Sequence, residues 1–168
     1  LLGSGDIRFC QVERVFSTRG RYHPPGLAPH SRRDPKCAEA YRWAGFDVVS
    51  TAGNHSGDWG FEGVVDTVKT VERLGIRSIG SGRNIDAARR PAVFEKNGVK
   101  VGFLAYASVI LPQYWATENQ PGVAPLRVRC GVLVSAAAPS VVTNYLRLPD
   151  MREALFVVIS QSGRSPDI

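Results

Sequence analysis

The chain has 168 residues, the size of one domain, and its 43% hydrophobic and 21% charged residues are ordinary globular composition that excludes a disordered chain. Lys and Arg number 21 against 15 Asp and Glu, a formal net charge of +6 that favours anionic partners without specifying one. No apolar run reaches the roughly 20 residues needed to cross a bilayer, and Cys10, Cys37 and Cys130, without a CxxC pair, argue against a disulfide framework or a cysteine zinc site.

Residues 6–12 form a short apolar stretch of strand type. Residues 14–35 contain Pro24, Pro25, Pro29 and Pro35, two glycines, and Arg14, Arg19, Arg21, Arg32 and Arg33. Such a segment cannot repeat backbone hydrogen bonds, so it is expected as a long surface loop, either a solvated connection or a cationic rim. Residues 36–44 read as a short helix closed by Gly45, and residues 46–52 as a buried β-branched strand ending at Gly53. In residues 61–74, Phe61, Val64, Val65, Val68, Val71 and Leu74 fall at helical spacing and Gly75 closes the segment. Glu62 and Asp66 then belong to its solvated face. A strand at 77–79 comes next, completing an α/β rhythm.

Asn97-Gly98 joins residues 91–96 and 100–107 as a hairpin, because both turn positions want positive φ, and the alternation after the turn predicts a mostly buried hairpin. Residues 108–125 read as an aromatic, proline-bearing loop, 126–134 as a strand, and 155–160 as a last strand; 136–149 give no period.

The densest polar cluster is Gly53-Asn54-His55-Ser56-Gly57-Asp58-Trp59-Gly60, between a predicted strand and a predicted helix, where α/β domains place active sites. The Asn54 carboxamide oxygen is a hard neutral ligand for Mn or Mg. His55 is placed to give a proton to a leaving oxygen, and Asp58 either orients its ring or caps the following helix. Arg83 and Asn84, after Gly80-Ser81-Gly82, suit an anionic substrate, or in the bland case a turn whose helix Asn84 caps. His23 and His30 are expected as exposed loop residues, and Trp59, Tyr114 and Trp115 as a pocket floor or as packing.

Residues 44–106 carry in order Gly-Phe-Asp-Val-Val, Asn-His-x-x-Asp-x-Gly, Leu-Gly-Ile, Gly-x-Gly-Arg-Asn, Arg-Arg-Pro-Ala-Val and Gly-Val-Lys-Val-Gly-Phe-Leu-Ala-Tyr. This series resembles the capsule-synthesis CapA family (poly-γ-glutamate biosynthesis proteins), relatives of the calcineurin-like metallophosphatases. Residues 121–126, Pro-Gly-Val-Ala-Pro-Leu, extend the likeness.

The resemblance implies one partial domain over residues 1–168, a four-layer α/β/β/α sandwich incomplete at both ends, with metals at the strand ends. The family's opening Gly-Asp motif would precede Leu1. Residues 6–13 resemble a segment that usually ends Asn-Leu-Glu, with Gln11 for the Asn and Glu13 keeping the carboxylate. Asn54 then matches a metal ligand and His55 the proton donor, while Gln161 stands where the family carries a metal-binding His. The resemblance thus implies a site for divalent ions (Mn or Mg), reduced in ligands, acting on a phosphoester or holding an acidic polymer. The non-catalytic alternative is a module binding an acidic polymer or a partner protein through Arg83 and the arginines of 14–33. The resemblance further implies a bacterial cell-envelope or membrane-associated setting beside capsule-synthesis membrane proteins, and no specific nucleic acid.

Overall fold

Short strands alternating with helices carry the chain through β1 (Phe9–Gln11), α1 (Glu39–Ala44), β2 (Val48–Ser50), α2 (Gly60–Arg73), β3 (Arg77–Ile79), β4 (Ser81–Gly82), α3 (Ile85–Ala88), β5 (Ala92–Lys96), β6 (Val99–Ala107), β7 (Gly122–Val123) and β8 (Ala154–Gln161). The structure, a computed structural model, describes residues 5–22 and 32–126 in full and the backbone of 154–161. His23, His30, Cys130 and nearly all of the strand expected at 126–134 lie outside the described residues.

Strands β1, β2 and β3 form one parallel sheet in that order, with Phe9 opposite Val48 and Val48 opposite Arg77. A second sheet has the order β5-β6-β8, with β5 antiparallel and β8 parallel to β6. Successive side chains of a strand face opposite ways, and β2 uses this directly. Val48 enters a core with Ile79, Ala92, Phe103 and Ala105, which joins the two sheets. Val49 enters a second core with Val12, Phe16, Ala38, Val71 and Ile76, which joins the first sheet to the helices. Helix, sheet and sheet are therefore stacked in succession among the described residues, a mixed α/β architecture. The expected proximity of the 46–51 strand to the hairpin is met, with Phe9 stacked on Phe103 at 6.3 Å between centroids.

The helix and turn signals hold with small shifts. Residues 36–44 begin as a 3₁₀ turn, Pro35–Ala38, before α1, and Gly45 ends the helix at φ 84. Asn97 (φ 53) and Gly98 (φ 78) make the hairpin turn. The hairpin is less buried than its alternation suggests: Val99, beside the turn, is 50% exposed, and Val93, on the face opposite Ala92 and Phe94, is 57% exposed.

Three expectations are corrected by the packing. The buried face of α2 centres on Gly63, Val64, Thr67, Thr70 and Val71, while Phe61 is 40% exposed. The reason is the segment after β1, whose Val15, Phe16 and Ser17 are buried and not part of a surface loop. It lies so close to α2 that a Cβ on Gly63 would come 2.9 Å from the Trp59 Cβ and 3.0 Å from a Val15 methyl. Thr67 Oγ1 accepts from the Phe16 amide at 2.9 Å, so a polar residue is the correct lining there. Asp66 is likewise not on a solvated face: it accepts from Ser17 Oγ at 2.6 Å and pairs with Arg19 at 2.6 Å. Finally, the 108–125 loop contains a 3₁₀ turn, Pro112–Tyr114, and β7, which pairs with β4. Neither two-residue strand has a period to detect.

Candidate functional site

The candidate residues sit just past the ends of strands β1, β2 and β4. Glu13 lies two residues past β1, the 53–60 turn lies past β2, and Arg83 and Asn84 lie past β4. The second sheet brings its own strand ends alongside these. A Cβ on Gly80, just after β3, would come 2.5 Å from the Ala52 Cβ and 2.8 Å from the Ala105 Cβ, so only glycine lets the sheets approach there. Backbone bonds then run from the Ala124 amide to the Gly80 carbonyl (2.8 Å) and from the Ala107 amide to the Ala124 carbonyl (3.0 Å). Gln161 closes β8 in register with Ala107, which puts its backbone among those strand ends.

Within the turn, three of the sequence candidates meet. His55 Nδ1 lies 2.9 Å from Asp58 Oδ2, and Asn54 Nδ2 lies 3.1 Å from His55 Nε2. A carboxylate only accepts, so Nδ1–H donates to Asp58, and Nε2 accepts from the Asn54 amide. Asp58 is 4% exposed and its carboxylate serves His55; α2 has no side-chain cap, its N-cap position being Trp59. The choice left open by the sequence is thereby made in favour of orienting the ring.

The turn rests on a hydroxyl cluster that the sequence pattern did not single out. Thr51 Oγ1 meets Ser78 Oγ at 3.1 Å, the Ile79 carbonyl at 3.1 Å, and Ser81 Oγ. The Thr51 carbonyl accepts from Ser56 Oγ at 2.7 Å, and Ser56 Oγ accepts from the Gly53 amide at 3.0 Å. A hydroxyl can donate and accept at once, which lets one buried Thr tie β2, β3 and β4 to the turn. The only signal was four hydroxyl residues, Thr51, Ser56, Ser78 and Ser81, in and around strands, where such residues are common.

Tyr114, one of the aromatic residues expected as a floor or as packing, is packed beneath the turn. It is 4% exposed, and its ring lies directly under Gly57. Burial first, then the charges of Asp58 and Tyr22, push its hydroxyl up to about 12. Of the expected aromatic floor, Tyr114 underlies the turn, while Trp59 packs on Tyr22 at 5.5 Å between centroids.

The remaining candidates are spread around the turn. Asn84 Oδ1 accepts from the Ala87 amide at 2.9 Å and caps α3. Arg83 is exposed on the link after β4, whose Ser81 contacts Thr51. Glu13 is exposed beside Arg14, which lines a cavity with Thr51, Ser56 and Ser81. That cavity is about 10 Å³, room for one water at most, so a substrate must use the open surface beside it. Cys10 is half buried, and burial pushes its thiol up to about 11, which leaves it unreactive near neutral pH.

Among the described residues, no three His, Cys, Asp or Glu side chains converge as a metal-holding group. Among the described side chains, the candidate metal donors at the strand ends are the neutral Asn54 carboxamide and the exposed Glu13 carboxylate. Two divalent ions held side by side need several anionic donors, so this set does not fit a two-ion centre. No helix among the described residues is long and apolar enough to cross a membrane.

Residues 1–145 match the profile of the family described as "Bacterial capsule synthesis protein PGA_cap". The chain is similar to the capsule biosynthesis protein CapA of Bacillus anthracis, 30% identical over 93 residues that cover 55% of this chain and 23% of that protein. It is 40% identical over 80 residues to the probable polyglutamine synthesis accessory protein Rv0574c of Mycobacterium tuberculosis, covering 45% of this chain and 21% of that one. A third relative, the uncharacterized protein y4sH of Sinorhizobium fredii, is 28% identical over 166 residues, 92% of this chain and 33% of that protein. The chain thus spans a third or less of the length of these relatives.

Proposed function

The chain belongs to the bacterial capsule synthesis family PGA_cap, and from that premise we propose that it serves capsule or poly-γ-glutamate synthesis through a metallophosphatase-type site at the 53–60 turn. The same reading takes the two three-stranded sheets and the α1–α2 layer as part of a four-layer α/β/β/α sandwich. The observation that carries it is the 2.9 Å bond from His55 Nδ1 to the buried Asp58 carboxylate. With Nδ1–H held there, Nε2 is the atom that exchanges a proton with substrate, and the buried carboxylate supports the imidazolium when it forms. The Asn54 carboxamide adjusts to both states of the ring. Its Nδ2 donates to neutral Nε2, and after rotation its Oδ1 accepts from Nε2–H. A His so held gives its Nε2 proton to the leaving oxygen of a phosphoester as water attacks phosphorus and the ester P–O bond breaks. Because the described donors do not fit two ions, the reading assigns weak binding of at most one Mn or Mg ion and little turnover to this chain alone. Titrating Mn into the chain while assaying a generic phosphodiester tests this. Tight binding of two ions, with turnover abolished by Asn54→Ala, would overturn the ligand count.

A second reading, a module that holds an acidic polymer, is supported by the seating of the arginine-bearing segment on Trp59, next to the same turn. Arg32 Cζ lies 4.2 Å from the Trp59 ring centroid. Saturable binding of an acidic polymer without phosphoester turnover at any Mn concentration would favour it.

A further inference from the structure

We propose that Arg32, stacked on Trp59, is a preorganised oxyanion fork that takes a carboxylate of an acidic chain beside the 53–60 turn. Nothing in the resemblance assigns this residue a role of its own.

Three sets of contacts build the fork. The guanidinium lies over the Trp59 ring, with Cζ 4.2 Å from the centroid. Its Nη1 donates to the Arg19 carbonyl at 2.8 Å and reaches the Gly20 carbonyl at 3.5 Å. Those carbonyls are themselves held in place, because Arg19 is bound to Asp66 by two hydrogen bonds of 2.6 and 3.1 Å. Gly20 has φ 85, and a Cβ there would overlap the Trp59 carbonyl oxygen, so the segment lies this close to Trp59 only with glycine at that position. Among the described residues, Arg32 Nε and Nη2 make no hydrogen bond and Arg32 has no acidic partner, whereas Arg8 is paired with Asp47 and Arg19 with Asp66.

A guanidinium held by its face and by one nitrogen presents its remaining N–H groups as a flat edge. That edge matches the two oxygens of a carboxylate, and little side-chain freedom is left to lose on binding. The charge balance selects the same ligand. The adjoining open groove, about 420 Å³, is lined by Gly20, Arg21, Gly60 and Glu62, one cation against one carboxylate. Arg19 is already neutralised by Asp66. Arg32 is the guanidinium fixed here by an aromatic face, and its single flat edge matches the two oxygens of one carboxylate. The groove is large enough for a short stretch of chain, and Trp59, next in sequence to Asp58, places the fork on the turn that carries His55.

The inference rests on the reading that the chain handles an acidic polymer, and the test separates the two. Binding of a γ-linked glutamate oligomer to the full chain is measured by calorimetry at low salt, with inorganic phosphate as a parallel probe. Arg32→Ala is expected to weaken oligomer binding by about ten- to a hundredfold, the loss of a charge-assisted bidentate contact. Arg32→Lys, which keeps the charge and loses the flat edge, should recover only part of it. Lys100→Ala, an exposed cation on the hairpin, should bind as the native chain does, which separates the fork from a general loss of charge, and no binding by the native chain would fail the polymer reading itself. Circular dichroism of Arg32→Ala should match the native spectrum, since this side chain is not part of either core. Oligomer binding unaffected by Arg32→Ala, or fully restored by Arg32→Lys, would overturn the fork. Phosphate binding with the same dependence on Arg32 would overturn the carboxylate assignment.

Discussion

Replacing Gly57 by alanine tests whether the turn and Tyr114 form one packed unit. The new Cβ would stand 2.6 Å from both Cδ atoms of the Tyr114 ring, and closer still to its Cγ. Carbon atoms settle at about 3.5–4.0 Å, so the ring or the turn has to give by about 1 Å. Gly57 is not among the residues with positive φ, so the penalty is steric and not conformational. Tyr114 is 4% exposed and enclosed by its surroundings, which places the cost in the overpacking range of about 1–3 kcal/mol. Urea denaturation reads this as a lower midpoint at unchanged slope. Tyr114→Ala alone should cost about 3–5 kcal/mol, as other aromatic truncations do. In that background, however, Gly57→Ala meets open space, so a double-mutant cycle should return a coupling of about 1–3 kcal/mol. Gly57 lies between His55 and Asp58, so a turn displaced by that much takes their 2.9 Å bond out of hydrogen-bond range. The imidazole signals of His55 should therefore move in Gly57→Ala and return in the double variant. An equal Gly57→Ala penalty with and without the Tyr114 ring would refute the packed unit.

Thr51→Val keeps the shape of a buried side chain but strips Ser78, Ser81 and the Ile79 carbonyl of a shared partner. Buried groups left without a partner cost about 1–3 kcal/mol, and a urea midpoint equal to the native one would show that the hydroxyl cluster contributes nothing. The Arg19 hydrogen bond, helped by Ser17 and opposed by desolvation, holds the Asp66 carboxyl below the usual carboxylate range. In acid the unfolded chain therefore takes up this proton first. The stability gained is full above the ordinary carboxyl pKa of about 3.9 and is lost as pH falls through the lower native value. Arg19 is 61% exposed, so the effect stays within about 1 kcal/mol. Comparing denaturation at pH 7 and pH 3 should show a shallower acid loss in Asp66→Asn; an unchanged loss would contradict the pairing.

Elements whose cause is local were legible in the sequence. The Asn97-Gly98 turn and the Gly45 helix end need only neighbouring residues to form. The pairing of His55 with Asp58 was legible for the same reason, since three residues separate them and a tight turn closes that distance. What escaped were features made by distant segments. Asp66 looks solvated until Ser17 and Arg19 are laid against it, and β4 exists only because β7 returns to it. The burial of residues 15–17 could not be read from a segment whose prolines and arginines signal a loop. Its anchor is Thr67 on α2, a polar residue on what turns out to be the helix's inner face.

The positive charge of the chain is allocated unevenly, and this bears on how it meets an anion. Arg8 clasps Asp47 through its amide and guanidinium, tying the residue before β1 to the residue before β2. Arg19 is committed to Asp66, where it holds the post-β1 segment against α2. Both pairs bring charges of opposite sign together, and both leave the long-range field of the molecule nearly unchanged by those two arginines. Arg32 differs in kind, because an aromatic face positions it without neutralising it. A formal charge of +6 spread evenly would attract any polyanion weakly and be screened by salt within about 10 Å. A guanidinium anchored next to the turn that holds His55 and Asp58 attracts one anionic group to one place, and that is the requirement for delivering an acidic chain to a proton-exchanging imidazole.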